Sequence, residues 1–249
     1  METGAKRNMR DVDQVHWWFV ARRRILAAVL ARVAGAAPAD VVEVGCGAGG
    51  NLAMLARFGP LHASEIDPAL RDEAIRRSGV EVRDGALPDG LPFAAGKFGL
   101  VAALDVVEHV EADAASVGAM AALLAPGGHL VVTVPAYRWL WSEHDVTHEH
   151  KRRYTIGEVE ALMRRAGLEI ARSTYFNTLL FPAIAAARLV GNALGRSGAN
   201  DAALPPATVN AVLGAIFAAE RWLLPWVSLP FGVSVLCIGR RPVREPRVT

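Results

Sequence analysis

Val41-Val42-Glu43-Val44-Gly45-Cys46-Gly47-Ala48-Gly49-Gly50 is the stretch that decides the fold. An apolar strand carries one acid, Glu43, just before a glycine-rich turn. The turn opens onto a predicted helix from Asn51 to Arg57. Glycines let the backbone turn sharply and lie against a ligand where a Cβ would clash. The helix start beyond them presents free N–H groups. Strand, glycine turn and helix together predict the first unit of an α/β sheet with a nucleotide-like ligand at the turn. Gly45, Gly47 and Gly50 also spell the dinucleotide fingerprint, which alone is weak.

Three acids weigh against a dinucleotide. Glu43 faces the turn, where it repels a pyrophosphate and attracts an ammonium group. Glu65 follows a second strand, Leu61-His62-Ala63-Ser64, and suits two ribose hydroxyls as a bidentate acceptor. Asp84 follows a third short strand, Val80 to Arg83, and suits an exocyclic amine. One acid per strand end fits a ligand with an amine, a ribose and an adenine but no phosphate. S-adenosylmethionine has that composition; NAD remains the alternative.

Strands and helices alternate through most of the chain, which predicts an α/β, doubly wound, seven-stranded sheet. Phe98 to Leu104 reads as a continuous apolar strand, as parallel sheets covered on both faces require. Asp113 to Leu124 is a helix stopped by Ala125-Pro126-Gly127-Gly128, and His129 to Val134 the next strand. Thr155 and Glu158 form a capping box for a helix to Gly167. Glu169 to Phe176 and Ser234 to Arg241 are the last two strands. At 249 residues, 52% of them apolar, one domain is the default, and a net charge of +2 gives no reason to expect nucleic acid. Cys46 and Cys237 follow no disulfide or metal spacing. The polar Met1 to Arg10 lacks an apolar signal core, so a cytoplasmic chain is expected.

At this point the sequence resembles the class I S-adenosylmethionine-dependent methyltransferases, from about residue 40 to 176 and again from 234. Glu43 to Gly49 is similar to the family's E-x-G-x-G-x-G motif. Asp84-Gly85-Ala86 with Leu87-Pro88 resembles its adenine-binding segment, and Leu104 to Val110 its D-V-L-E-H-V stretch. Leu124 to Gly128 resembles its L-x-P-G-G turn. Gly99 departs from the pattern, where many relatives carry Asp, a change expected to affect packing. The resemblance implies S-adenosylmethionine as methyl donor, held by Glu43, Gly45, Cys46, Gly47, Gly49, Asn51, Glu65, Ile66, Asp84, Gly85, Ala86, Leu104, Asp105 and His109. His16 to Phe19 with Arg22 to Arg24, and Leu140 to Thr155, resemble a narrower bacterial subgroup that methylates small-molecule, sugar or lipid-like acceptors.

The acceptor side must be read from other residues. Methyl transfer needs the nucleophile in line with the sulfonium carbon and, for a hydroxyl, a proton acceptor. His144 and Asp145 follow the fifth strand, with His150 and Tyr154 as further catalytic candidates; a loop-building role for the histidines is the alternative. Trp17, Trp18, Arg22, Tyr137, Arg152 and Arg153 are the substrate-binding candidates, the arginines for an anionic head. A metal at His144, Asp145, His148, Glu149 and His150 is not expected, because Lys151-Arg152-Arg153 would repel a cation.

The segment from Asn177 to Val233 interrupts the final strand pair and is strongly apolar. It predicts a helical cap (177–233) over the acceptor side, with 1–37 as a helical lid and 38–176 plus 234–241 as the donor-binding core. Its longest uncharged runs, about 18 residues, are broken by prolines and fall short of a spanning helix. A peripheral membrane contact and a homodimer both stay open. So do two other classes of function, a donor-binding partner protein without catalysis and a nicotinamide oxidoreductase.

Overall fold

The computed structural model describes residues 13–33, 39–193 and 204–243. Parts of the expected lid (1–12, 34–37) and of the cap (194–203) lie outside them. In chain order the elements are α1 (Trp17–Val33), β1 (Val41–Val44), α2 (Leu52–Leu55), β2 (Leu61–Ser64), α3 (Pro68–Ser78), β3 (Val82–Arg83) and β4 (Phe98–Leu104). There follow α4 (Asp113–Leu123), β5 (Leu124–Pro135), α5 (Glu143–Thr147), α6 (Ile156–Arg165), β6 (Glu169–Phe176), α7 (Phe181–Ala193), α8 (Ala207–Ala219) and β7 (Ser234–Arg240).

The seven strands lie in the order β3-β2-β1-β4-β5-β7-β6. All neighbours pair in parallel except β7, which is antiparallel to both β5 and β6. The order reverses between β1 and β4, and such a switch point opens a crevice at the carboxyl ends of the strands. Strand periodicity splits the core into two layers. Val42, Val44, Val101, Val132 and Cys237 pack on one face with Met120 of α4 and Val159 and Met163 of α6. Val41, Leu100, Ala102, Val131 and Ile238 pack on the other with Ile25 and Leu26 of α1 and Phe217 of α8. The strand reading from sequence is close throughout. β5, however, begins at Leu124 and runs through the glycines expected to form a turn.

Trp17 and Trp18 belong to this second layer. Trp18 stacks on Phe217, ring centroids 5.1 Å apart, and Trp17 meets the same ring edge-on at 6.0 Å. Asn210 of α8 fixes the start of α1, accepting from the Trp17 N–H and donating to the Val15 carbonyl, both at 2.8 Å. These tryptophans join two helices, which corrects their expected role in binding substrate.

Most of the described insertion is helical, in α7, α8 and a 3-10 turn at Glu220–Trp222, while residues 177–180, 204–206 and 223–233 are turns and irregular chain. Its one acid among the described residues, Glu220, is fully buried and accepts from the N–H groups of Asn177, Thr178 and Leu179 at 2.7–2.9 Å. That clasp ties the end of α8 to the end of β6, at the crevice edge. Burial pushes the Glu220 carboxyl up, and the three N–H groups oppose it. The outer face of α8 carries Val209, Val212 and Ile216 exposed and no charged side chain. Trp222, Leu223, Trp226 and Val227 continue that exposed surface. Arg221 lies over the Trp222 ring at 3.9 Å and Arg32 over Trp226 at 4.5 Å. No helix among the described residues is long and apolar enough to cross a membrane.

Gly99 is explained by packing: a Cβ there would collide with that of Ala39.

Candidate active site

The glycine turn ends β1 beside the switch point. Gly45, Gly47 and Gly49 all have positive φ, at 70°, 55° and 82°. A Cβ on Gly45 would sit 2.9 Å from the Val106 side chain, so the turn admits no larger residue there. A Cβ on Gly47 would meet nothing within 4 Å, which leaves open space above the turn where a ligand fits. Cys46 is buried in the same turn, and burial raises its thiol far above ordinary, so it fills space and is not a nucleophile.

Glu43 lies beneath that space, 1% exposed. Its Oε1 accepts from Asn51 Nδ2 at 2.9 Å, while its Oε2 has no partner. An unpaired buried carboxylate oxygen is costly, and burial pushes the group up to about 7 against the pull of Asn51 and Arg22. A cationic donor group would supply the missing partner. Glu65, at the end of β2, accepts from the Gly47 N–H at 2.8 Å and the Asp67 N–H at 2.9 Å. The two bonds hold its carboxylate in the plane of the turn, with lone pairs left for a ribose. Ile66 beside it is 63% exposed, an apolar surface for a base to lie on. Asp84 stands at the end of β3, paired with Arg71 at 2.8 Å, and Gly85 and Ala86 follow it. A Cβ on Gly85 would press on Ser64 at 2.8 Å.

Arg22 is placed differently from its expected role. It comes from α1, is buried, and ion-pairs with Asp105 at the end of β4. Its Nη2 reaches Asn51 Oδ1 at 3.5 Å and its Nε has no partner. Burial lowers its pKa to about 10 against the attraction of Glu43. Asp105 also accepts from Thr133 Oγ1 at 2.9 Å, its backbone held at φ 59° after the buried Leu104. Glu43, Asn51, Arg22, Asp105 and Thr133 thus form one chain across the donor pocket. Arg22 is tied to Asp105 and Asn51, beside the Glu43 end of the glycine turn.

Asp145, in α5, corrects a second expectation. It is fully buried and accepts from the Ser142 N–H at 2.8 Å, from Arg153 Nε and Nη2 at 2.8 and 2.9 Å, and from His150 Nδ1 at 2.8 Å. Burial would raise its carboxyl, but His150 and Arg153 outweigh that and hold it below the usual carboxylate range. A carboxylate so saturated takes no proton from an acceptor; it orients His150 and leaves that ring's Nε2 available. Arg153, itself 2% exposed, is likewise committed to Asp145 and to the Ala136 carbonyl. Arg152 pairs with Asp113 at 3.2 Å and Glu111 at 3.1 Å. The arginine cluster therefore does not form the expected cationic mouth. Tyr154 is buried and donates to Asp113 at 3.0 Å; burial and Asp113 raise its hydroxyl well above ordinary, which removes it as a base.

His144 is half-buried, and burial and His148 press its pKa down to about 3, too low for an effective base near neutrality. It belongs instead to a cluster of rings, 4.2 Å from His148 and 5.9 Å from His150. His150 in turn meets His109 edge-on at 4.7 Å. Beside them lies Glu108, fully buried, with neither carboxylate oxygen hydrogen-bonded. Sequence reasoning passed over Glu108, although it stands in the Leu104 to Val110 stretch next to His109. An acid three residues beyond the strand-end Asp105 was the available signal. Tyr137 stacks on Tyr175 at 4.9 Å and on Trp139 at 5.7 Å, with Phe181 edge-on at 5.9 Å.

A family model described as a methyltransferase domain matches residues 18–173. A ubiquinone biosynthesis O-methyltransferase from Xylella fastidiosa is 35% identical over 152 residues, 53% of this chain. That match spans 61% of the relative's own length. Geranyl diphosphate C-methyltransferase from Streptomyces coelicolor, solved with Mg2+, geranyl diphosphate and S-adenosylhomocysteine, superposes with a TM-score of 0.59 at 18% identity. The superposition covers 86% of this chain and 79% of that one. A phosphoethanolamine N-methyltransferase from Haemonchus contortus gives 0.56 at 14% identity, covering 86% and 52%. At such identities the two structures speak for the fold alone. The open cradle over Gly47, the unpaired Glu43 oxygen and the Glu65 carboxylate suit S-adenosylmethionine, the family's donor. With the family match over most of its length, the chain belongs to the class I S-adenosylmethionine-dependent methyltransferases.

Proposed function

We propose that this chain transfers the methyl group of S-adenosylmethionine to a small acceptor with an apolar body and a polar, hydroxyl-bearing head. In this reading Glu43 takes the donor's ammonium group, Arg22 its carboxylate and Glu65 its ribose, while Asp84 borders the adenine. The acceptor's nucleophile meets the wall formed by Glu108, His109 and His150. The observation that carries the reading is the make-up of that wall. Glu108 follows Asp105 by three residues, is grouped with His109 and His150 and has both carboxylate oxygens unpartnered, while Tyr137, Trp139 and Phe181 form an aromatic cluster of their own. Unpaired lone pairs on Glu108 serve the nucleophile, and stacked rings serve the apolar body. The relatives named for O-methylation in ubiquinone biosynthesis support an oxygen nucleophile on a greasy molecule.

The insertion serves this reading as a cap, since Arg188 of α7 donates to the Leu140 carbonyl at 3.0 Å on the acceptor side. The uncharged face of α8 with Trp222 and Trp226 then rests on an anionic bilayer at the cytoplasmic side. Tryptophans overlain by arginines suit that interface.

The test is turnover of the donor with a panel of long-chain or prenylated phenols and alcohols against small polar amines and acids. Formation of S-adenosylhomocysteine with methylated phenol or alcohol is the expected result. Turnover confined to polar acceptors would overturn the acceptor class. Tight donor binding with no turnover on any acceptor would favour a binding protein without catalysis.

A further inference from the structure

Glu108 stands out among the described residues. It sits in a single 3-10 turn, Val107–His109, with 0% of its surface exposed and both carboxylate oxygens unpartnered. Buried carboxylates are almost always hydrogen-bonded, and one left bare costs several kcal/mol, on the order of 1–3 or more. Nothing in the donor chemistry described above relieves it. Two imidazoles lie next to it, and one ligand atom from each of Glu108, His109 and His150 falls within 4.8 Å of the others.

We propose that Glu108, His109 and His150 hold a divalent transition-metal ion whose open positions take the acceptor's hydroxyl oxygen. Two imidazoles and one carboxylate suit zinc, cobalt or manganese and leave coordination positions free. Atoms bound at ~2.0–2.2 Å to one ion lie roughly 3–4 Å apart, so the three side chains need to close by up to about 1–2 Å. His150 is already prepared as a ligand. Asp145 accepts from its Nδ1 and leaves Nε2 as the ligand atom, the carboxylate–histidine arrangement that fixes metal-binding imidazoles. The bidentate Arg153 contact holds Asp145 in place.

The Lys151-Arg152-Arg153 run, which argued against a cation from sequence, presents no obstacle in three dimensions. Arg153 is neutralised by Asp145, and Arg152 by Asp113 and Glu111. Lys151 points its charge into solvent, being exposed, while its N–H donates to the Glu108 carbonyl at 2.8 Å. Of two further cations nearby, Arg22 is paired with Asp105 and Arg188 donates to the Leu140 carbonyl.

The acceptor role of the ion rests on the methylation reading above; the binding of the ion does not. On the ion an acceptor hydroxyl loses its proton to solvent water at lower pH than when free. The resulting oxyanion forms the O–C bond to the sulfonium methyl. The C–S bond breaks with its electron pair going to sulfur, and neutral S-adenosylhomocysteine leaves.

The experiment uses the full chain, stripped with a chelator and titrated with Co2+ and then Zn2+. One Co2+ per chain, with visible ligand-field absorption displaced by Zn2+, is expected. Glu108→Gln and His150→Gln should each weaken Co2+ binding by at least ~30-fold. His129→Gln, at the far end of β5, should not. Unchanged S-adenosylhomocysteine affinity in the variants shows that they are folded. Wild-type chain that binds neither ion, or variants that bind Co2+ as wild type does, would overturn the site. Full turnover by stripped chain in excess chelator would overturn the ion's part in methyl transfer. Absence of any turnover beside normal Co2+ binding would strike the functional reading and leave the ion site standing.

Discussion

Replacing Arg22 with Met tests the donor assignment most sharply. Met keeps the length and most of the volume of the buried stem and removes the guanidinium. If that group meets the donor's carboxylate, the variant loses one hydrogen bond between charged partners, about 1.5–3 kcal/mol. The dissociation constant for S-adenosylhomocysteine should rise roughly 10- to 150-fold. Stability should fall too, since Asp105 loses its partner. A fully buried pair broken on one side costs about 3–5 kcal/mol. Asp105 keeps its Thr133 contact and its side chain is 29% exposed, so about 1–2 kcal/mol is expected here. Calorimetry with two ligands separates the effects. S-adenosylhomocysteine carries the amino-acid carboxylate; methylthioadenosine lacks both it and the amine. Arg22→Met should weaken the first as stated and leave the second within about twofold of wild type. Equal losses for both ligands would mean that Arg22 only shapes the pocket, and the carboxylate contact would be withdrawn.

Glu65→Gln should weaken S-adenosylhomocysteine by about 1.5–3 kcal/mol, and binding of a donor analogue without ribose hydroxyls should change little. Calorimetry showing wild-type affinity in the folded variant would remove Glu65 from the ribose. Glu43 is raised to about 7 by burial, from 4.5 when unfolded. The stability of its neutral form is therefore complete below pH 4.5 and lost as pH rises through 7, by about 3 kcal/mol at most. Urea unfolding of the ligand-free chain should show that decline, and Glu43→Gln should flatten it; parallel profiles would place the titration elsewhere. Trp222→Ser with Trp226→Ser should reduce co-sedimentation with anionic vesicles about tenfold or more while leaving donor affinity unchanged. Equal sedimentation of variant and wild type would free that face for another partner.

The sequence by itself determined the sheet, the switch point and the donor cradle. Those features are written in short, local patterns: apolar runs of strand length, glycines where φ must be positive, and one acid at each strand end. Backbone geometry makes each of them legible within a few residues, so Glu43, Gly47 and Glu65 are found where the motif puts them. The roles of the arginines and of the acceptor acids were decided only by tertiary structure. Arg22 and Asp105 meet across 83 residues of sequence, and Arg152 meets Asp113 across 39. In sequence each of these arginines is a free cation, and the structure shows which carboxylate each neutralises. Asp145 is indistinguishable in sequence from a catalytic acid, until burial and the Arg153 fork fix it as a support for His150. Glu108 is the converse. Its neighbours in the chain say nothing of its two bare oxygens, because a missing partner is a property of the surrounding space and not of the residue.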